Sequence, residues 1–230
     1  FRTADYRSVS MNFNTDFWKK NADSIGVLNY AVDKDAIVDS VLNGQGFPAW
    51  SPIQMNAFGG NQAADMYSYD LDAFAREMDK LGWKKGDDGI YERDGQKFSF
   101  TIQVRDYEEE RVDIANVLAR QLKKAGVDMK IALVTKFDWN AGYNGFLAGF
   151  DMQIVLVTKF DWKAGYNGFL AGFAAEFDPD GVYKDFVTGA SDNTMAYSDP
   201  KVDELLKQGR TTEDPAERKK IYGDFEVAYA

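Results

Sequence analysis

The chain has 230 residues and a formal net charge of −10, from 27 basic and 37 acidic side chains, with no cysteine and no histidine. Disulfides, thiolate metal sites, cysteine nucleophiles, histidine bases and histidine-ligated metals are thereby excluded. An acidic chain is also a poor partner for nucleic acid or anionic lipid, because a phosphate surface has to be met by Lys and Arg.

Residues 6–14 alternate apolar and polar and predict a strand. Ile25, Leu28 and Val32 form one stripe, which predicts a helix over 23–32. Asp33 can cap a second helix through Ile37, Val38, Val41 and Leu42, ending at Gly44. The Gly, Pro and Asn-rich stretch 45–62 reads as a loop. Asp70 can cap a helix carrying Leu71, Phe74, Met78 and Leu81, stopped by Gly82. Turns at Asp87-Asp88-Gly89 and Asp94-Gly95 flank Ile90-Tyr91 and a long strand, 98–104. Asp106-x-x-Glu109 has the spacing of a capping box, ahead of a helix with Val112, Ala115, Ala119 and Leu122 on one face and Gly126 at its end. Val127, Met129, Ile131 and Leu133 alternate as the next strand. A weak helix is expected from Asp138, interrupted by Gly142 and Gly145, and then a third strand at 152–155. Pro200 and Asp214-Pro215-Ala216-Glu217 each open a helix, the last carrying Ile221, Phe225 and Ala228. That helix meets Ala230 without a capping residue, as expected of a piece of a longer chain or of one whose remainder is disordered.

Strand, helix, strand, helix, strand implies an α/β (α+β) fold with a mixed, partly parallel sheet flanked by helices. The composition, 45% hydrophobic and 28% charged, is that of a folded globular protein. No apolar run approaches the roughly 20 residues of a membrane-spanning helix.

Residues 133–150 and 156–173 are identical except for Asn140 against Lys163. Repeat architectures need three or more units that drift apart, so one near-perfect copy reads as a tandem duplication, recent or engineered. Both copies encode the same strand and helix and compete for one slot. The expectation is that 133–150 fills it and 156–173 is an extra excursion. A duplicated strand also offers a route to a domain-swapped oligomer through an exposed sheet edge.

Glu176-x-Asp178-x-Asp180-Gly181 resembles the start of a calcium loop, but its twelfth position is Val187 where a bidentate Glu is required, so no metal site is expected. Asp178-Pro179-Asp180-Gly181 reads more simply as a turn. The pair Glu176 and Asp178 has the residue types of a glycosidase acid and base, which keeps a carboxylate-dependent enzyme as a rival reading. Arg105 ends a strand just before a helix. It is either a solvated arginine or, at a sheet's carboxyl end where α/β ligands bind, a bidentate grip for a carboxylate. Trp83, Trp139 and Trp162 read as core or surface rings. Trp50, between Pro48 and Pro52 in the loop, more plausibly meets a ligand or partner. Glu108-Glu109-Glu110-Arg111 reads as a helix start with acids facing the dipole.

Ser10-Met-Asn-Phe-Asn-Thr15 followed by Val27-Leu-Asn-Tyr-Ala-Val-Asp-Lys-Asp-Ala-Ile-Val38 resembles the oligopeptide, dipeptide and nickel-type solute-binding proteins of ABC importers. Asn43-Gly-Gln-Gly46, Ser51-Pro-Ile53, Leu81-Gly-Trp83, Asp178-Pro-Asp-Gly181, 197–206 and 210–218 agree in order and spacing. The resemblance implies an extracytoplasmic, lipid-anchored receptor that closes two lobes over a peptide or similar solute and delivers it to a membrane permease, with no cofactor and no chemistry. Residues 1–15 would be a crossover strand and 16–230 the carboxyl-terminal lobe of a periplasmic-binding-protein-like fold. Arg105, with Ala115 ten residues on, matches the arginine that pairs with a peptide's carboxylate in dipeptide-binding relatives. Glu176 is the nearest acid to the position that meets the amino group. With Trp50 and Asp178 they make up the candidate ligand-binding residues. A duplicated fragment without autonomous activity is the remaining alternative.

Overall fold

The computed structural model describes residues 7–53, 60–135, 145–148, 178–193 and 196–230. The opening alternation forms β1 (Ser8–Met11). Thr15 then caps α1 (Asp16–Asn21) by accepting the Trp18 amide proton, and this one and a half turns of helix delivers Phe17 and Trp18 to the interior. The stripe at 23–32 does not make an α-helix. It forms two 3₁₀ segments, Ala22–Ser24 and Gly26–Ala31. Gly26 is a poor helix interior residue, and the Asn29 side chain donates to its carbonyl, a local bond that competes with the α ladder. Asp33 and Asp70 cap α2 (Lys34–Val41) and α3 (Leu71–Lys80) through their side-chain oxygens, as the sequence predicts.

The two Gly turns build a small antiparallel sheet, β2 (Lys84–Lys85), β3 (Tyr91–Arg93) and β4 (Gln96–Lys97). β5 (Ser99–Arg105) leads into α4 (Glu109–Ala125) and back to β6 (Asp128–Val134). Gly126 ends α4 at φ +105°, and a Cβ there would stand 2.8 Å from the Gly89 carbonyl oxygen, so both the turn and the close approach call for glycine. The capping box does not form. Glu108 takes the cap position without a side-chain bond, and Asp106 instead accepts the Thr135 hydroxyl proton at 3.1 Å.

The main sheet has the order β1-β7-β5-β6, where β7 is Gly145–Ala148. β5 is parallel to both neighbours and β1 is antiparallel to β7, so the sheet is mixed. β7 corrects the sequence reading of a weak helix through Gly145. Gly142 and Gly145 weaken a helix, and the run Gly-Phe-Leu-Ala suits a central strand. Of the first copy, Leu133 and Val134 end β6 and 145–148 form β7. The second copy and the strand expected at 152–155 lie outside the described residues, as do Trp139 and Trp162.

Phe100, Ile102 and Val104 of β5 face one core, with Trp18, Trp83, Phe98 and the apolar face of α4. The Trp83 and Phe98 rings stack at 4.6 Å, and the Trp83 indole donates to buried Ser24 at 2.9 Å. After a 3₁₀ turn at Pro179–Val182, the chain forms α5 (Tyr183–Phe186), α6 (Pro200–Thr211) and α7 (Pro215–Tyr229). These helices enclose a second core of Val187, Val202, Leu205, Leu206, Tyr222 and Phe225, which also receives Ile53.

Candidate functional site

The register puts the carboxyl ends of β5, β6 and β7 and the amino end of β1 on one edge of the sheet. Arg105 stands opposite Val134, and Ser8 opposite Ala148. Arg105 therefore projects at the end of a central strand, where α/β sheets bind ligands. Its side chain is 35% exposed, and its Nη1 donates to the Glu108 carboxylate at 3.4 Å. Its guanidinium lies 5.9 Å from the ring of Tyr107, which is 59% exposed. Leu133, 55% exposed, lies near the end of the neighbouring strand opposite Val104. A cation beside an open aromatic ring is suited to a carboxylate on an organic body.

Two further arginines converge here. Arg111, buried, pairs with the second oxygen of Glu108, and Arg7 reaches Glu110 at 3.3 Å. Burial pushes the Arg111 guanidinium down from its ordinary value, Glu108 pulls it back up, and Arg7 and Arg105 press it down again. Arg7, Arg105 and Arg111 thus gather at this end of the sheet around Glu108 and Glu110, with Asp106 beside them on Thr135. The sequence reading missed this grouping, although Arg105-x-x-Glu108-x-x-Arg111 carried the signal. Glu108 and Arg111, three apart at the helix start, share a face, and Arg105 ends the strand that leads into it.

Asp178 has other partners. It caps the 3₁₀ turn by accepting the Asp180 amide proton at 2.9 Å, and Arg218 of α7 holds both its oxygens, at 2.7 and 3.1 Å. The Arg218 hydrogen bonds hold the Asp178 carboxyl below its ordinary range, against an opposing effect of burial. Arg210 of α6 forks onto Asp180 in the same way, at 2.9–3.2 Å, with its guanidinium 3.8 Å from the Tyr183 ring. A hollow of about 330 Å³ lies over these pairs and Lys184. Asp178 thus fixes the turn against α7 and, 57% exposed, also lines this hollow.

Trp50 is half-buried at the end of the 45–50 loop. Lys34 fixes that loop by donating to the Ala49 carbonyl at 3.0 Å, and the next residues lead to Ile53 in the second core. Burial lowers the Lys34 ammonium from its ordinary value. Glu176 lies outside the described residues. Among the described residues no group of three or more acids could hold a metal ion, and no helix is long and apolar enough to cross a membrane.

Known proteins resemble this chain across its length. It is 32% identical over 206 residues to Protein XP55 of Streptomyces lividans, covering 87% of this chain and 34% of that protein. The structure of NikZ from Campylobacter jejuni in complex with Ni(L-His) superposes with a TM-score of 0.79 at 28% identity, covering 99% of this chain and 43% of that one. Bacillus subtilis AppA in complex with a nonapeptide shares the fold, with a TM-score of 0.76 at 24% identity over 98% of this chain and 42% of that one. The chain thus spans about a third to two-fifths of the length of these relatives. Residues 1–194 match the model of the middle region of the bacterial extracellular solute-binding proteins, family 5, and to that family the chain belongs.

Proposed function

We propose that this chain is one lobe of an extracytoplasmic receptor for an ABC importer, and that it holds a small solute through a carboxylate. The observation that carries the reading is Arg105 at the end of the central strand, part-exposed beside Tyr107 and grouped with Arg7 and Arg111. The preferred solute is a peptide with a free carboxyl terminus. A metal complex of an amino acid offers the same carboxylate and is the second reading, favoured by the likeness to NikZ in its Ni(L-His) complex. Trp50 supplies an aromatic wall and Glu176 the anion for an amino group. Asp178 contributes by holding the turn that follows Glu176 rather than by direct contact. The receptor works outside the cytoplasmic membrane, lipid-anchored in its full length, and passes the solute unchanged to a permease. A domain-swapped oligomer forms no part of this reading, since the second copy it depends on lies outside the described residues.

The test is calorimetry on the full-length receptor carrying this chain, with a nonapeptide bearing a free carboxyl terminus and with its carboxy-terminal amide. Arg105→Ala should weaken the free acid at least about tenfold and the amide much less, the usual cost of losing a charge-assisted fork. Equal affinity of the variant and the unaltered receptor for the free acid would overturn the proposal.

A further inference from the structure

We infer that Glu108 is a built-in competitor for Arg105, which limits how tightly a solute carboxylate is held and shortens its stay. The inference rests on the reading of Arg105 as the carboxylate grip. Glu108 faces two arginines, with one oxygen on Arg111 and the other 3.4 Å from Arg105. The side chains of Glu108 and Arg111 are only 8% and 5% exposed, against 35% for Arg105.

That difference assigns the roles. A buried ion pair stays together, because parting it strands a charge away from water. The Arg111 pair therefore anchors Glu108 in place. Arg105 is the outer member of the trio, and its bond to Glu108 is longer than the roughly 2.7–2.9 Å of a strong charge-assisted contact. Glu108 can offer Arg105 one oxygen, since Arg111 takes the other. A solute carboxylate can offer both in the fork that a guanidinium prefers. The solute should thus win the guanidinium while remaining within a few ångströms of a fixed negative charge. Like charges that close oppose each other strongly where water is partly excluded. The opposition acts on the solute's charge and not on its shape. It suits a carrier, which has to let go of what it holds.

The experiment uses the full-length receptor with the same nonapeptide and its carboxy-terminal amide. Glu108→Gln keeps the size and an acceptor for Arg111 and removes the charge. It should tighten the free acid about tenfold, chiefly through slower dissociation, and leave the amide within about twofold. Because Arg111 loses its counter-charge in that variant, Glu108→Gln with Arg111→Gln is made alongside, so that two hydrogen-bonding amides replace the buried pair. It should still favour the free acid over the amide, by less than Glu108→Gln alone, because the positive charge removed with Arg111 lies farther from the solute than Glu108. Added to Arg105→Ala, Glu108→Gln should restore nothing. A purely structural Glu108 would lower the melting temperature and shift both peptides alike, and that result overturns the inference. So does unchanged or weaker binding of the free acid in both variants, with Arg105→Ala still costing affinity. If Arg105→Ala itself has no effect, or the unaltered receptor binds neither peptide, the carboxylate reading fails first and the inference falls with it.

Discussion

Arg93 joins three parts of the chain through one side chain. Its guanidinium donates to both oxygens of Asp23 at 2.8 and 3.0 Å, to Asn21 at 2.7 Å, and to the carbonyls of Leu81 and Lys20 at 2.9 and 3.2 Å. It also lies 4.7 Å from the Trp83 ring. An ammonium cannot reproduce that fork, so Arg93→Lys should leave buried Asn21 short of a donor and cost about 2–3 kcal/mol in urea unfolding at pH 7. The same pair gives a pH signature. Arg93 hydrogen bonding is the largest influence on Asp23 and holds its carboxyl below the ordinary range. A depressed carboxylate contributes stability that is present above its unfolded value of about 3.9 and lost as pH falls through the folded value. The unaltered protein should therefore lose more stability than Arg93→Lys between pH 5 and pH 2, two limits chosen to bracket that value. Parallel acid-side losses in the two proteins would contradict this. Glu226 runs the other way. It is 2% exposed, accepts the Asn61 amide proton at 2.7 Å, and burial raises its carboxyl above the ordinary range. Its charge is a burden that grows as pH rises through the folded value, so Glu226→Gln should gain stability at neutral pH and lose that advantage near pH 4, the ordinary carboxylate value. Urea midpoints at the two pH values measure both signs.

Helices α6 and α7 cross at Gly209. A Cβ there would stand 2.8–2.9 Å from the Tyr222 ring, and that ring is buried and cannot swing away. Gly209→Ala should thus cost about 1–3 kcal/mol despite alanine's better helix propensity, because overpacking outweighs the gain. A thermal melt at or above that of the unaltered protein would contradict the close packing. Neither α6 nor α7 announces this contact in its apolar stripe, and the gap in legibility is general. Caps were readable because Asp33, Asp70 and Asp214 act on amides two or three residues away. So were β5, α4 and the first half of β6, whose burial follows their own periodicity, while Leu133 near the end of β6 is open. What escaped was decided by partners far along the chain. Trp18 looks like one ring in a polar run, and its place is fixed by packing on Phe98 and Phe100 at 6.1 and 5.1 Å. Asp106 left its expected capping box for Thr135. Arg105 could be singled out at a strand end, but Arg7 could be joined to it only once β1 was known to run antiparallel beside β7.

At the scale of the molecule, specific links join the two cores among the described residues. Phe13, just beyond β1, meets Tyr197 edge-on at 6.3 Å, and Tyr197 lies against Phe186 and Tyr229 of the second core. Asn61 donates to the Gly223 carbonyl at 2.9 Å while its amide engages Glu226, which seats the 60–64 segment on α7. This body presents the arginine cluster at its edge rather than inside it. Two hollows of the described residues lie elsewhere, one over Asp178 and Arg210, the other between Gly60–Gln62 and Ala216–Asp224. Arg105 has the Tyr107 ring beside it, open to water. An exposed guanidinium grips a carboxylate weakly, because water competes for the bonds and salt screens the charge over about 8–10 Å. Strong retention needs a second surface to exclude water and complete the contacts. If the chain is one lobe of a larger receptor, that surface belongs to the rest of it. The 230-residue chain should then bind the free-acid nonapeptide only in the millimolar range, about a thousandfold more weakly than the full-length receptor, and lose even that in about 0.5 M salt. Titration of the chain followed by amide and Arg105 guanidinium NMR shifts would measure it. Micromolar binding by the chain alone would mean that an enclosed site forms within these residues, and that the grip at the end of β5 is complete without a facing lobe.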